Sequence, residues 1–284
     1  MTPQTATAAA SGTIEIGGDM TVNRMGFGAM RITGNGIWGD PPDREQAKVV
    51  LRRAVELDVN FIDTADSYGP ETSESLIAEA LFPYPDDLVI ATKGGLVRPG
   101  PGQWVPDGSP EHLRAACEGS LRRLKLDQIP LYQFHRPDPN VPLEASIGAL
   151  VQLKDEEKIR HIGLSNVTEE ELRVAQSMTP IVSIQNRYNM GDRGSEVLVD
   201  RCEVERLAFL PWAPIQQAEQ AVVTRVAERH GVSTRQVVLA WLLARSPAIL
   251  PIAGTGSVAH LEENVAATAV HLGADEVAEL TAAG

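Results

Sequence analysis

Along 284 residues a short apolar run gives way, eight times over, to a stretch whose apolar residues recur every three to four positions. Strands are expected at about 25–30 and at 60–63, 88–93, 129–135, 161–165, 181–185, 208–212 and 249–252. The first helix, 43–57, shows the pattern in full, with Ala47, Val50, Leu51, Ala54 and Val55 on one face. Further helices are expected over 72–81, 110–124, 143–157, after Thr168, and over 195–203, 219–230, 233–245, 258–269 and 275–281. Several starts carry their own cap: Ser109 precedes Pro110 at a first helical position, and Thr168 with Glu171 and Ser233 with Gln236 form capping boxes. Eight strand–helix pairs in a chain of this length fit a closed α/β barrel, (β/α)8, better than an open sheet. Ahead of them, alternation around Gly17, Gly18 and Asp19 predicts an N-terminal β-hairpin, and the small polar residues 1–12 a disordered tail. Residues 13–284 are thus expected to make one barrel domain with accessory helices.

Composition narrows the function classes. A net charge of -13 opposes binding to nucleic acid and to anionic membranes. No apolar run approaches the ~18 residues of a membrane span, and the opening residues lack the basic start and apolar run of a secretory signal. A cytoplasmic protein is expected, monomeric or weakly homo-oligomeric. Cys117 and Cys202 stand apart without metal-ligand or redox spacing, so both read as reduced packing residues and no metal site is expected. Gly34, Gly36 and Gly39 do spell the GxGxxG of dinucleotide-binding folds. Pro41 and Pro42 follow at once and the helical pattern begins only at Asp43, so these glycines are assigned to a loop.

The chemistry gathers where strands finish. FIDTADSY places Asp63 at a strand end and Tyr68 on the loop beyond it, LVIATK ends on Lys93, and LYQFH ends on His135. Parallel neighbours lie about 5 Å apart, which brings Asp63, Lys93 and His135 within roughly 10 Å of one another. Taken singly, an aspartate can cap a helix, a lysine can snorkel, a tyrosine can pack and a histidine can sit satisfied in a core. Together they form a set suited to protonating a carbonyl oxygen as negative charge develops there. The Lys93 ammonium is expected to lower the phenol pKa of Tyr68 from about 10, Asp63 to keep Lys93 charged and aimed, and His135 to hydrogen-bond a substrate oxygen.

With DTADSYG at 63–69, ATKGG at 91–95 and LYQFHRPD at 131–138, the chain closely resembles the aldo-keto reductase family over nearly its whole length. The resemblance implies a (β/α)8 barrel that reduces aldehydes and ketones with NADPH. It implies Tyr68 as general acid, Lys93 and Asp63 as its tuning pair, and His135 as the residue that orients substrate. GLSN and SIQNRYN look like the segments that hold the nicotinamide carboxamide, through Ser165, Asn166 and Gln185. Trp212 stands where many members stack a tyrosine on the nicotinamide ring, with Ala213 and Pro214 beside it, and Met30 and Arg31 join the cofactor set by the same likeness. Gly254, Thr255, Gly256 and Ser257 precede a helix, where free N–H groups and the helix dipole favour a phosphate. His260, Glu263 and Asn264 complete that segment, with Asn264 at the adenine. A lysine usual near Gly254 is missing, and His260 replaces a common arginine, so NADPH is the expected cofactor without strict exclusion of NADH.

The two longest loops, 32–42 and 94–108, offer Trp38 and Trp104 as substrate walls. The long C-terminal substrate loop of many family members is not expected here, so an open pocket with broad, weakly discriminated carbonyl substrates is expected. Pyridoxal is one such aldehyde. Two alternatives stay open: a cofactor-binding regulatory subunit with slow turnover, and a lyase using Lys93 as a Schiff-base nucleophile, against which Asp63 argues by keeping the amine charged.

Overall fold

Gly17 and Gly18, at φ 69° and 84°, turn the expected hairpin, in which β1 (Thr13–Ile16) pairs antiparallel with β2 (Met20–Asn23). The computed structural model describes residues 6–216 and 220–283. Seven parallel strands follow the hairpin: β3 (Phe27–Gly28), β4 (Phe61–Asp63), β5 (Val89–Gly94), β8 (Ile129–Phe134), β9 (Ile159–Ser165), β10 (Ile181–Gln185) and β11 (Ala208–Phe209). A second small hairpin, β6 (Leu96–Val97) with β7 (Val105–Pro106), rises from the loop after β5. Sheet neighbours follow chain order from β3 to β11, each strand lying beside the next.

Residues 249–252 supply the eighth staves of the barrel through single parallel bridges, Phe209 to Ile249 on one side and Gly26 to Ile252 on the other. Leu250 N–H donates to Phe209 O at 2.9 Å and Gly26 N–H to Pro251 O at 2.9 Å, which closes the barrel. Proline explains why this strand and β11 are shorter than expected. Pro251 and Pro211 have no N–H to give a ladder, so pairing stops at or beside them.

The helices cover the barrel's outside: α1 (Arg44–Glu56), α2 (Thr72–Leu81), α3 (Pro110–Leu124), α4 (Leu143–Asp155), α5 (Glu169–Gln176), α6 (Glu196–Glu205), α7 (Ala221–His230), α8 (Thr234–Arg245), α9 (Val258–Ala266) and α10 (Ala274–Ala282). The predicted caps form, with Ser109 accepting from His112 N–H and full capping boxes at Thr168 and Ser233. The expected start of α7 at Glu219 lies outside the described residues. The disordered tail is corrected in part. Ala8–Ser11 forms a 3-10 turn in which Ala8 is fully buried, donating its N–H to Leu57 O at 2.8 Å, and Thr268 Oγ1 donates to Thr7 O. Small side chains let this backbone lie close against the barrel, and they leave no periodicity to read. Residues 1–5 of that expectation fall outside the described set.

Strand alternation sorts the core into two layers. Phe61, Val89, Ala91, Leu131, Val182, Ala208, Leu210, Leu250 and Ile252 fill the barrel, with Ile16, Met20 and Val22 of the hairpin packed among them. Their neighbours Ile62, Ile90, Tyr132, Phe134, Ile184 and Phe209 face the helices instead. Cys117 and Cys202 are buried in that outer layer, and burial pushes each thiol up to about 12, as packing residues require. Among the described residues no helix is long and apolar enough to cross a membrane, and no group of three or more His, Cys, Asp or Glu could hold a metal.

Candidate active site

The same alternation decides what the barrel mouth contains. Phe61 points inward, so Asp63 does too; Val89 and Ala91 put Lys93 inside; Leu131 does the same for Gln133 and His135. Parallel pairing sets Asp63 opposite Ala91 and Lys93 opposite Gln133, so Lys93 and Gln133 share a level and Asp63 lies one inward-facing step before them.

Lys93 is fully buried, and its Nζ donates to Asp63 Oδ2 at 2.7 Å, to Thr64 O at 2.8 Å and to Tyr68 Oη at 3.2 Å. All three ammonium hydrogens are placed. Asp63 Oδ1 accepts from Gln133 Nε2 at 2.9 Å and from Gln185 Nε2 at 2.8 Å. Gln185, expected at a cofactor amide, thus shares Asp63 with Gln133, a residue with no expected role. Its signal was present, because Gln133 lies two residues before His135 on the same strand face.

Tyr68 reaches Lys93 from a loop held by backbone bonds. Tyr68 N–H donates to Ala65 O, Glu71 N–H to Asp66 O and Gly39 N–H to Gly69 O. Gly69 sits at φ 92°, and a Cβ there would lie 2.5 Å from Thr72 Cβ, so the turn that releases Tyr68 requires glycine. The tyrosine ring stands edge-on to His135, 5.8 Å between centroids, and to Trp104, 6.3 Å. Ser67 Oγ lies 3.3 Å from His135 Nδ1.

Burial and charge act on these groups in opposite directions. Burial raises the Tyr68 phenol and outweighs the opposing Lys93 ammonium, so its pKa lies above the ordinary tyrosine value. The expected lowering is therefore corrected. In the protein alone desolvation is the larger effect, and Lys93 limits the rise. Burial also works against the Lys93 ammonium, yet Asp63 and then Tyr68 hold its pKa above the usual lysine value. His135 is driven well below its ordinary value by burial and then by the positive charge of Lys93, Arg136 and Arg98, which leaves a neutral imidazole.

These side chains open onto a cavity of about 560 Å³. Asp63, Tyr68 and His135 form part of its wall, and so do Met30, Arg31, Trp104, Ser165, Asn166, Gln185, Trp212, Ala213, Pro214 and Gly254. Gly28, Ile37, Leu96, Arg136, Ile215, Gln216, Ile252 and Ala253, which the sequence did not single out, complete the lining. Their signal was weak because most are ordinary apolar loop residues. Among the described lining residues Trp38 is absent. It bridges Gly69, and its indole lies 5.7 Å from the Arg98 guanidinium.

Ser165, Asn166 and Trp212 are tied to one another as well as to the cavity. Ser165 Oγ donates to Gln185 O at 2.9 Å, Asn166 Nδ2 to His135 O at 3.0 Å, and Trp212 Nε1 to Asn166 Oδ1 at 3.1 Å. Asn166 holds φ 58°, a left-handed backbone that asparagine tolerates better than most residues. Thr255, Gly256, Ser257, His260, Glu263 and Asn264 lie outside that lining, at the start of α9 and along it. Gly254 joins them to the cavity, packed so closely that a Cβ would come 2.2 Å from Gly28 O. Ser257 caps α9, Gly256 lies next to the Arg31 backbone, His260 is exposed, and Asn264 is buried with Oδ1 lacking a partner.

Behind the Tyr68 loop sits a carboxyl with a separate consequence. Asp66 is buried, its Oδ1 has no partner among the described residues, and burial followed by the charge of Glu74 pushes its pKa up to about 8. An unfolded chain ionises this group near its ordinary value of ~3.9. Between the two values the unfolded state has lost a proton that the folded state keeps, so this group's contribution weakens as pH rises toward 8. Asp66→Asn, which cannot ionise, is expected to gain on the wild type by on the order of a few kcal/mol at about pH 8 and little at about pH 4. Melting curves at both pH values check this, and a gap independent of pH would discard it.

The cavity at the mouth of this α/β barrel thus carries a carboxylate, a phenol and a neutral imidazole on its wall, with the buried Lys93 bonded to the first two behind it. The sequence profile of the Aldo/keto reductase family matches residues 24–220 and 216–284. An uncharacterized oxidoreductase of Schizosaccharomyces pombe is 48% identical over 281 residues, covering 98% of this chain and 91% of that protein. Pyridoxine 4-dehydrogenase of Escherichia coli is 40% identical over 273 residues, covering 93% and 95%. The crystal structure of an aldo/keto reductase from Klebsiella pneumoniae in complex with NADP and acetate superposes with a TM-score of 0.80 at 27% identity, covering 94% of this chain and 93% of that one. The chain belongs to the aldo/keto reductase family.

Proposed function

We propose that this protein reduces small aldehydes and ketones to alcohols with NADPH, through Tyr68 as proton donor. One observation carries the reading: the Tyr68 hydroxyl lies 3.2 Å from a lysine that Asp63 and Thr64 aim at it, on the wall of a cavity shared with His135. Residues present fit the cofactor. A glycine-rich segment opens α9, a buried Asn264 Oδ1 is ready to accept from an amine, and Trp212 offers a flat ring on the cavity wall. Ser165, Asn166, Trp212, Gly254 and the residues to Asn264 would hold NADPH, which when bound supplies the hydride. The solved Klebsiella relative in complex with NADP supports the choice.

The protein's own residues do the rest. His135, uncharged, hydrogen-bonds the carbonyl oxygen and sets it beside the phenol. Tyr68, whose raised pKa keeps it protonated, donates its proton to that oxygen as negative charge develops. Lys93 stabilises the phenolate left behind, and Asp63, clamped by Gln133 and Gln185, keeps Lys93 cationic. Trp104, Leu96 and Ile37 give the cavity apolar sides. Pyridoxal is the specialisation that the Escherichia coli relative suggests. The charge of -13 disfavours tight self-association, consistent with a cytoplasmic monomer or weak homo-oligomer.

The test is NADPH oxidation with an aldehyde panel that includes pyridoxal, repeated with NADH. Turnover is expected, with NADPH favoured by no more than about tenfold, because the α9 segment lacks a lysine and one charged contact is worth about that much. Tight cofactor binding without turnover on any carbonyl would overturn the reading in favour of a regulatory subunit.

A further inference from the structure

Arg98 is 9% exposed, yet among the described residues no carboxylate pairs with it. Its guanidinium donates only to backbone carbonyls, and those come from three separate segments. Nε donates to Gln103 O at 2.8 Å, Nη1 to Ile37 O and Ser67 O, each at 2.9 Å, and Nη2 to Gly36 O at 3.1 Å. The plane of the group lies over Trp104, 3.6 Å from Cζ to the ring centroid. Desolvating a cation is unfavourable unless its hydrogen bonds are met. Here neutral carbonyls meet them, so the charge is spent on geometry rather than on an ion pair.

Those contacts have a clear direction. Ser67 precedes Tyr68 and touches His135; Gly36 and Ile37 belong to one covering loop and Gln103 and Trp104 to the other. Trp104 in turn stands edge-on to both reacting side chains, 6.3 Å from Tyr68 and 6.5 Å from His135. Backbone links join the segments in pairs, Gly39 N–H to Gly69 O between the first covering loop and the Tyr68 loop and β6 to β7 within the second covering loop, whereas the Arg98 guanidinium meets all three at one group. A planar fork with five N–H donors can bind several carbonyls and stack at once, which a lysine ammonium cannot.

We propose that Arg98 is the positioning residue of the substrate pocket: it locks the two covering loops to the Tyr68 loop and fixes Trp104 as the wall that selects carbonyl compounds carrying a flat ring. The inference rests on the carbonyl-reductase reading above. Arg98 touches neither substrate nor the transferred proton, and its effect passes through Trp104 and Ser67.

Full-length wild type, Arg98→Met, Arg98→Lys, Trp104→Leu and the Arg98→Met/Trp104→Leu pair are assayed with benzaldehyde and propanal, with NADPH affinity measured by fluorescence titration. Arg98→Met is expected to raise KM for benzaldehyde about tenfold, with smaller changes in kcat, in propanal kinetics and in NADPH affinity. Arg98→Lys should fail to rescue, and the pair should discriminate no worse than Trp104→Leu alone, as coupled residues do. Hydrogen exchange should quicken at 33–41 and 99–107 in Arg98→Met and stay unchanged elsewhere. Equal losses for both aldehydes, additive effects of the pair, rescue by lysine or unaltered exchange would each overturn the proposal. Absence of turnover in the wild type would instead strike the reductase reading, and exchange would then judge the clamp by itself.

Discussion

Tyr68→Phe is expected to lower kcat by about 10²- to 10⁴-fold, the usual worth of a positioned proton donor, while NADPH affinity stays within about twofold. The substitution removes one oxygen atom. Phe keeps the ring that packs edge-on against His135 and Trp104, so the wall retains its shape. What disappears is the hydroxyl that Lys93 Nζ reaches at 3.2 Å, and with it the proton for the developing alkoxide. Steady-state assays beside a fluorescence titration with NADPH separate the two effects. Retention of more than about a tenth of wild-type kcat would mean that another group, His135 first, supplies the proton.

Lys93→Met is expected to unfold the protein more easily as well as to silence it. The lysine and Asp63 are both buried, and removing one member of such a pair leaves an uncompensated charge, at about 3–5 kcal/mol. For a chain of this size that corresponds to roughly 10 °C in Tm. Asp63 Oδ2 would lose the cation that pairs with it, while Oδ1 would keep Gln133 and Gln185. Asp63→Asn combined with Lys93→Met should recover most of the stability and none of the activity, since a neutral pair no longer carries the desolvation penalty. Thermal melts of the singles and the double make the comparison. A single variant as stable as wild type would show that solvent reaches the pair.

Much of the site was legible in sequence because strand parity is a local property. Once 60–63, 88–93 and 129–135 are taken as parallel strands with Phe61, Val89 and Leu131 inward, Asp63, Lys93 and His135 must follow them inside. Cap chemistry was equally local, and Ser109, Thr168 and Ser233 start their helices where expected. The errors fell where the deciding neighbour is distant in sequence. Nothing near Trp38 in the chain announces that Arg98, sixty residues on, holds its loop. Ala8 looked disordered because its partner is Leu57. The phenol pKa of Tyr68 went the other way because burial, unreadable from a motif, outweighs an adjacent charge.

Linear order sufficed for the barrel, its eight strand–helix pairs and the gathering of Asp63, Lys93 and His135 at one end, since all three depend on periodicities of two and 3.6 residues. How the barrel closes belongs to the folded chain alone, because Pro251 leaves the last strand only isolated bridges to Phe209 and Gly26. So does the depth at which Lys93 and Tyr68 lie, and so does the crossing of three loops at Arg98. Desolvation and long-range hydrogen bonds are sums over atoms from remote segments, and no stretch of chain carries them until the barrel has shut.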